Sequence, residues 1–245
     1  IDDSIRHAIT KLSHIHLTTN KKAKKRIIQM GERKKSIFII GSPDIDLLKS
    51  KKLPSLKSAL KRYNIPFSNY AIAILHPLNA ISIRDQKLKA KNFFEALKKS
   101  NYNFIIVKPN NDIGNEFILN EIKSIKKINF KIYPSVRFEY FLTLLKFSNF
   151  IIGNSSTGVM EAPYYGVPCI NVGDRQKNRT TNSNQKNVSY DKKKLFNLIN
   201  YYAKNKIRYK KQLYFGNGDC KAKFIKLIKN KNFWNIKIQK YFVER

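Results

Sequence analysis

Short, continuously apolar segments alternate along the chain with stretches in which apolar residues recur every three or four positions. Apolar segments of this length, closed by glycine, proline or polar residues, are typical of buried strands. We predict strands over residues 16–18, 36–40, 70–75, 103–107, 130–133, 150–152 and 168–172. Helical spacing predicts helices over 21–30, 45–50, 88–100, 116–125, 137–147, 159–165, 192–204 and 220–229, and favours helix for the tail from 233 to 243. This alternation predicts an α/β fold with a parallel sheet covered on both faces.

The first residues are also typical of a helix. Asp2 stands in its first turn, where an acidic side chain is favourable, and Ile5, Ile9 and Leu12 form an apolar stripe. The chain starts at Ile1 rather than at a methionine, and nothing precedes this amphipathic helix to pack against it. We therefore expect the chain to be a piece of a longer protein.

Parallel sheets bind ligands at the carboxyl ends of their strands, so the candidate residues are those that follow each strand. The strand at 150–152 runs into the small and hydroxylated segment Gly-Asn-Ser-Ser-Thr-Gly at 153–158. Ser155 and Ser156 there are hydroxyl donors beside a helix start, which favours an anion such as a diphosphate. Glu161 follows, and its carboxylate is suited to a ribose diol. The alternative, that the hydroxyl groups only cap the helix, remains open.

Two other strand ends offer weaker signals. His76 directly follows the strand at 70–75, where an imidazole can donate to a phosphate or act as an acid; an ordinary structural histidine is the alternative. Arg175 lies in the loop after 168–172 together with Lys177 and Arg179, which is a second anion signal. The segment 109–114 by itself predicts only a turn.

Two sets of residues near the start of the chain are further candidates for chemistry. Asp2 and Arg6 fall on one helical turn, and this pair is either catalytic or an ordinary surface ion pair. His14 and His16 have no acidic or cysteine partner at ligand spacing, so we predict no metal site.

Composition sets limits on the class of protein. The 245 residues, 42% of them hydrophobic, suit one large or two small globular domains. Cys169 and Cys220 form no CxxC pair, which excludes a disulfide framework and a structural zinc site. The sequence shows no signal peptide and no apolar run of about 18 residues, so we expect a cytoplasmic protein without a membrane partner.

The formal net charge of +33 has two explanations. One is binding to a polyanion such as nucleic acid, since neutralising phosphates releases counterions. The other is a compositional bias towards lysine, asparagine and isoleucine, because the lysines are spread along the whole chain. Charge of this kind says nothing about the fold.

Taken in order, several motifs resemble those of one family, the hydrolysing UDP-N-acetylglucosamine 2-epimerases of sialic-acid and related sugar biosynthesis. The motifs are IDDSIRH at 1–7, GSPDID at 41–46, HP at 76–77, PNND at 109–112, RFEYF at 137–141, GNSS at 153–156, EAPYYGVP at 161–168, GDRQ at 173–176 and FGNG at 215–218. Each motif is weak alone, but their order and spacing cover nearly the whole chain.

The resemblance implies a fold like that of the GT-B glycosyltransferases, with two Rossmann-like halves of which the N-terminal one is mostly missing here. Residues 1–40 would then be the end of the first half, 41–222 the UDP-binding second half, and 223–245 a C-terminal helix or tail that crosses back. The implied reaction eliminates UDP and hydrates the resulting glycal, giving N-acetylmannosamine and UDP. The resemblance implies a UDP-sugar as partner and no cofactor, and a homodimer is common in the family; no nucleic acid is expected.

The resemblance also assigns roles to single residues. Asp2 matches a catalytic acid/base carboxylate, and His76 matches the histidine that stabilises the departing diphosphate. The implied substrate-binding residues are Arg6, Asn110, Val136 through its backbone, Ser155, Ser156, Glu161 and Arg175.

The chain departs from the family pattern in two places. Leu78 and its neighbours replace a Thr-Thr-Glu-like stretch, which affects local sugar contacts, and Asn115 replaces a serine. The family's other catalytic carboxylates lie upstream of Ile1, so we expect this chain alone to bind nucleotide poorly and to be inactive. Two alternatives stay open, a glycosyltransferase of the same fold and a polybasic nucleic-acid-binding module.

Overall fold

The computed structural model describes residues 2–50, 52–78, 81–177, 179, 183–237, 239–241 and 243, with side chains in the first helix described from Ser4 onward. The chain forms two compact units, one made of residues 1–51 and 213–245 and the other of residues 52–212. The predicted boundaries at 41 and 222 both fall inside the first unit. The assignment of these stretches to two family domains remains a prediction.

The elements of the described chain are the following. The strands are β1 (His16–Thr18), β2 (Ile37–Ile39), β3 (Ala71–Ile74), β4 (Phe104–Val107), β5 (Phe130–Tyr133), β6 (Ile151–Gly153), β7 (Cys169–Val172) and β8 (Gln185–Val188). The helices are α1 (Asp2–Leu12), α2 (Lys21–Gln29), α3 (Pro43–Lys49), α4 (Leu56–Arg62), α5 (Ile83–Ser100), α6 (Asn115–Lys123), α7 (Phe138–Phe147), α8 (Thr157–Met160), α9 (Lys192–Asn205), α10 (Cys220–Ile228) and α11 (Lys231–Trp234). Short 3₁₀ helices span Lys34–Ser36 and Ala162–Tyr165.

The larger unit is built on a six-stranded sheet in the order β5-β4-β3-β6-β7-β8, and each neighbouring pair is parallel. The chain proceeds from β3 to one side of the sheet and from β6 to the other. The direction of winding therefore reverses between β3 and β6, where Ile74 pairs with Gly153. In open α/β sheets this switch point leaves a crevice beyond the carboxyl ends of the strands.

Two apolar layers cover the two faces of this sheet. In β3 the alternation of side chains places Ala71 and Ala73 in one layer and Ile72 and Ile74 in the other, and all four are buried. Helices α5, α6 and α9 supply the first layer, whereas α4 and α7 supply the second. The predicted parallel sheet with both faces covered is therefore confirmed, and it explains why its strands are apolar without interruption.

Four details differ from the predicted elements. Strand β8 was not predicted, because its sequence Gln-Lys-Asn-Val is half-exposed at the sheet edge and carries no apolar alternation. The tail is wrong as a helix: α11 ends at Trp234, and the described residues beyond it are not helical. The predicted helix 159–165 is two short pieces, since Pro163 lacks the N–H that would continue α8. Helix α5 begins five residues early because Ser82 accepts the N–H of Asp85 as its cap.

In the smaller unit β1 and β2 pair in parallel, with His16 opposite Ile37. Asp46 of α3 accepts the N–H groups of Cys220 (2.9 Å) and Lys221 (2.7 Å), and so caps the start of α10 with a carboxylate. Among the described helices, none is long and apolar enough to cross a membrane.

A buried carboxylate organises this smaller unit. Glu32 is 4% exposed, and its oxygens accept hydrogen bonds from Lys11 Nζ (2.8 Å), His16 Nε2 (3.0 Å) and Lys240 Nζ (2.8 Å). Lys240 Nζ also donates to the main-chain oxygens of Thr10, Lys11 and Ser13, at the end of α1. Burial alone would raise the pKa of Glu32, but the hydrogen bonds to its carboxylate outweigh burial and lower it to about 2.

We expect Glu32→Gln to lower the free energy of unfolding by roughly 3 kcal/mol at pH 7, because it removes the negative charge of a buried carboxylate that pairs with Lys11 and Lys240. The pKa is lower in the folded state than the ordinary 4.5, so the stabilisation by Glu32 is present above about pH 4.5 and is lost as the pH falls towards 2. Urea unfolding from pH 7 to pH 2 should show the gap between wild type and variant closing over that window. Glu121→Gln, a partly exposed carboxylate 3.8 Å from Lys98, is the control. A gap that stays constant with pH would contradict this account.

Candidate functional site

The ends of β3 and β6 are joined by the side chain of one asparagine. Asn154 follows β6 and is fully buried. Its Oδ1 accepts the main-chain N–H of His76 at 2.7 Å, and its Nδ2 donates to the main-chain oxygen of His76 at 2.8 Å. The same Nδ2 lies 3.4 Å from the hydroxyl of Tyr190. This paired contact fixes the backbone of His76 at the mouth of the switch-point crevice.

The close approach of the two strand ends requires a glycine. Gly153 has φ +138°, and a Cβ on it would overlap the carbonyl oxygen of Ile74 on β3. Any side chain at this position would push β6 away from β3. The glycine therefore brings Asn154 within hydrogen-bonding distance of His76.

The loop after β7 joins the same cluster. Arg175 Nη1 (3.2 Å) and Gln176 Nε2 (2.8 Å) both donate to the main-chain oxygen of Asn154. Gln176 is only 1% exposed, whereas Arg175 is exposed and keeps its guanidinium accessible to a ligand. Three neighbouring strand ends thus place an imidazole, a guanidinium and two serines together.

His76 also contacts the strand end after β4. Its Nδ1 lies 3.1 Å from Oδ1 of Asn110. Burial, together with the positive charge of Arg175, holds the pKa of His76 below its usual value, although Asn110 and the carboxylate of Asp112 oppose this. The imidazole is therefore neutral near pH 7 before an anion binds.

The hydroxyl cluster lies between Asn154 and α8. The N–H of Thr157 donates to Ser155 Oγ at 3.3 Å, so Ser155 makes a local capping bond. Ser156 stands at the N-cap position of α8 and makes no such bond with its side chain. Both serines are half-buried. Glu161, also half-buried, connects α8 to the 3₁₀ helix that follows.

The structure brings together only some of the predicted site residues. His76, Asn110, Ser155 and Arg175 stand at or after neighbouring strand ends of the larger unit. Val136 lies further along, in the loop between β5 and α7, where it packs on the apolar layer below α7.

The two predicted residues of the smaller unit are both on α1. Arg6 is exposed on this helix. Asp2 belongs to the same helix, but its side chain lies outside the described residues. Their roles remain predictions.

Sequence reasoning missed the residues that hold the cluster together. Asn154 was part of a quoted motif, yet only its neighbouring serines were given a role. Gln176 likewise stood in a motif, GDRQ, without a role of its own, and Tyr190 gave no signal; the contacts of both with Asn154 come from other segments of the chain. Within the described residues, no group of three or more histidine, cysteine, aspartate or glutamate side chains could hold a metal ion.

A six-stranded parallel sheet whose direction of winding reverses between β3 and β6 defines the class of Rossmann-like α/β folds. Comparison with known families makes this more specific. The sequence profile described as UDP-N-acetylglucosamine 2-epimerase matches residues 1–229. The chain therefore belongs to the UDP-N-acetylglucosamine 2-epimerase family, which confirms the resemblance noted from its motifs.

Two individual relatives that match the chain are also named as 2-epimerases. The chain is 43% identical over 247 residues to a UDP-N-acetylglucosamine 2-epimerase of Neisseria meningitidis, a match that covers 100% of this chain and 65% of that protein. It is 34% identical over 192 residues to a GDP/UDP-N,N'-diacetylbacillosamine 2-epimerase (hydrolyzing) of Campylobacter jejuni, covering 75% of this chain and 49% of that protein. The chain thus spans between about half and two thirds of the length of these relatives.

The fold is also shared with solved structures. A UDP-GlcNAc 2-epimerase from Neisseria meningitidis, bound to UDP-GlcNAc, superposes with a TM-score of 0.67 at 18% identity, covering 90% of this chain and 63% of that one. The predicted GT-B-like, Rossmann-type fold class is confirmed.

We expect Gly153→Ala to destabilise the larger unit by several kcal/mol, since it combines an unfavourable φ with overlap against Ile74. Gly41→Ala is a matched control: its φ is +87°, but the nearest atoms to its Cβ would be 3.5 Å away. That variant should cost about 1 kcal/mol. Denaturant unfolding compares the two, and equal losses would contradict the close-approach argument.

Proposed function

We propose that this chain is the nucleotide-holding portion of a hydrolysing 2-epimerase, which acts on UDP-N-acetylglucosamine or a related UDP-acetamido sugar. The observation that carries the proposal is the convergence of His76, Arg175 and the serine pair at the switch point, in a chain of this family. The whole reaction is proposed for the full-length protein, since this chain spans only part of its relatives.

The proposed reaction has two steps. In the first, the sugar loses its C2 proton to a base while the C1–O bond breaks, and the electron pair of that bond leaves with UDP. In the second, water adds to C1 of the resulting glycal and a proton returns to C2 on the opposite face. The products are N-acetylmannosamine and UDP. The charge that develops on the departing diphosphate must be stabilised by fixed donors and cations.

The residues of the larger unit suit the UDP moiety. Ser155 and Ser156 would donate hydrogen bonds to the diphosphate, beside the exposed guanidinium of Arg175. His76 would stabilise the leaving group. The carboxylate of Glu161 would accept hydrogen bonds from the ribose diol.

Contacts to the rest of the nucleotide would come from the ends of β4 and β5, through Asn110 and the backbone at Val136. On α1, Asp2 is proposed as an acid/base group and Arg6 as a substrate-binding residue.

Similarity to named relatives bears on which acetylated sugar is the substrate. The Campylobacter relative is named for a diacetylated bacillosamine, and it is less similar to this chain than the relative named for N-acetylglucosamine. This difference in identity favours N-acetylglucosamine. A glycosyltransferase of the same fold is disfavoured because the family match includes the α1 segment.

We expect UDP to bind saturably to the full-length protein at about 300 mM salt, where diffuse attraction to a basic chain is screened. Ser155→Ala and Glu161→Ala should each weaken binding about tenfold or more, because each removes a hydrogen bond at or near a charge. Isothermal titration calorimetry measures this, with Glu121→Ala on α6 as a carboxylate control. Heat that vanishes with salt and ignores both substitutions would favour polyanion binding instead.

We expect the full-length protein to release N-acetylmannosamine and UDP from UDP-N-acetylglucosamine. In D₂O the product should carry deuterium at C2, since the C2 proton is exchanged during the reaction. His76→Gln should lower kcat by about 10²-fold or more. NMR of the products checks these outcomes. Sugar that stays linked to UDP would indicate a non-hydrolysing epimerase, and transfer to an added acceptor would indicate a glycosyltransferase.

A further inference from the structure

The imidazole of His76 stands at the end of a short chain of polar side chains. The carboxylate of Asp112 accepts a hydrogen bond from Nδ2 of Asn110 at 2.6 Å. The other end of the same amide, Oδ1 of Asn110, lies 3.1 Å from His76 Nδ1. All three residues belong to the ends of β3 and β4, at the switch point.

The hydrogen-bonding capacities of Asp112 and Asn110 determine which ring nitrogen of His76 carries the proton. A carboxylate only accepts, so the NH₂ group of Asn110 must face Asp112 and its oxygen must face the imidazole. An amide oxygen also only accepts, so Nδ1 of His76 must carry the proton. The main-chain N–H of Asn110 lies 3.4 Å from the same Nδ1 and would favour the opposite tautomer, but this contact is longer.

We propose that Asp112 is a positioning residue that, by orienting the amide of Asn110, holds the proton of neutral His76 on Nδ1. Asp112 itself contacts no reacting atom in this role. The tautomer follows from the geometry alone, whereas its consequence for catalysis rests on the function proposed above.

That consequence concerns the second ring nitrogen. With the proton on Nδ1, Nε2 carries a lone pair and takes up a proton from solvent when the diphosphate binds. The imidazolium then donates from Nε2 to the departing diphosphate. When the C1–O bond breaks, its electron pair moves to the β-phosphate oxygen and the Nε2 proton neutralises that oxygen. The Nδ1–H bond to Asn110 persists throughout, so the ring keeps its orientation.

The charged groups around His76 are consistent with this cycle. Arg175, from the loop after β7, disfavours the imidazolium in the free protein, whereas Asp112 favours it. Lys89 of α5 and Tyr190 line a small cavity with His76. Bound diphosphate would offset the cations Arg175 and Lys89, leaving Asp112 to support the protonated ring.

The first test is independent of activity. In the full-length protein labelled with ¹⁵N-histidine, NMR above the pKa of His76 should show the Nδ1–H tautomer, with the signal assigned by its loss in His76→Gln. Asp112→Ala removes the carboxylate that orients the Asn110 amide, so the amide can flip and present its NH₂ group to Nδ1. The Nε2–H form should then appear. Asp112→Asn can still accept from Asn110, so it should retain the wild-type tautomer. An Nε2–H signal in the wild type, or no change in Asp112→Ala, overturns the proposal.

The second test is kinetic. Asp112→Ala should lower kcat about tenfold or more with little change in KM, because the ring loses its orientation but the binding donors remain. In Asp112→Asn the lost charge should move the alkaline limb of the kcat profile to lower pH. Glu116→Ala, an exposed carboxylate on the neighbouring helix, should change neither.

Together, the two tests distinguish a failure of the proposed function from a failure of the positioning role of Asp112. A wild-type protein without epimerase activity refutes the proposed function, while the tautomer experiment still decides the role of Asp112. If the wild type is active but KM rises and kcat is unchanged in Asp112→Ala, Asp112 acts in binding and the positioning role is wrong.

Discussion

The site depends on one interaction, the pair of hydrogen bonds between the buried amide of Asn154 and the main chain of His76. At a switch point the two central strands are neighbours, but their connections leave in opposite directions, so no continuous chain ties their ends together. The side-chain amide of Asn154 connects the two strand ends by hydrogen bonds. The main-chain oxygen of Asn154 in turn accepts hydrogen bonds from Arg175 and Gln176. Leaving the hydrogen-bonding groups of a buried side-chain amide without partners is costly in free energy. The histidine and the guanidinium are thus placed by a residue that need not touch the ligand.

This tie is possible only because the strands below it are rigid and close. Apolar layers on both faces hold β3 and β6 in register, and Gly153 removes the side chain that would separate their ends. Chemistry-bearing residues then stand on short loops above a packed sheet, where small changes in sequence alter function without disturbing the core. The sheet therefore determines where the candidate site lies, and the loops determine which side chains it contains.

Much of this could be predicted from local sequence. Apolar strands and helical spacing are local signals, and the position of His76 and Ser155 directly after strands follows from the geometry of parallel sheets. Strand β8 was missed because its residues are polar, and only pairing with β7 makes it a strand. The contacts of Asn154 and Asp112 could not be predicted, because each depends on a partner brought near by the fold. Family motifs identified the neighbourhood but not the contacts that maintain it.

The high positive charge plays a separate part from this geometry. Helix α2 carries several lysines and has no fully buried residue, so most of its charge is accessible to solvent. Charge of that kind attracts anions over a distance and is screened by salt, but it does not select one anion from another. Selection requires donors held at fixed positions. In the switch-point cluster, His76 and Arg175 are held by the neutral side-chain amide and main-chain oxygen of Asn154, whose contacts are far less sensitive to salt. A basic surface and a specific diphosphate site can therefore coexist in this chain, and the first is not evidence against the second.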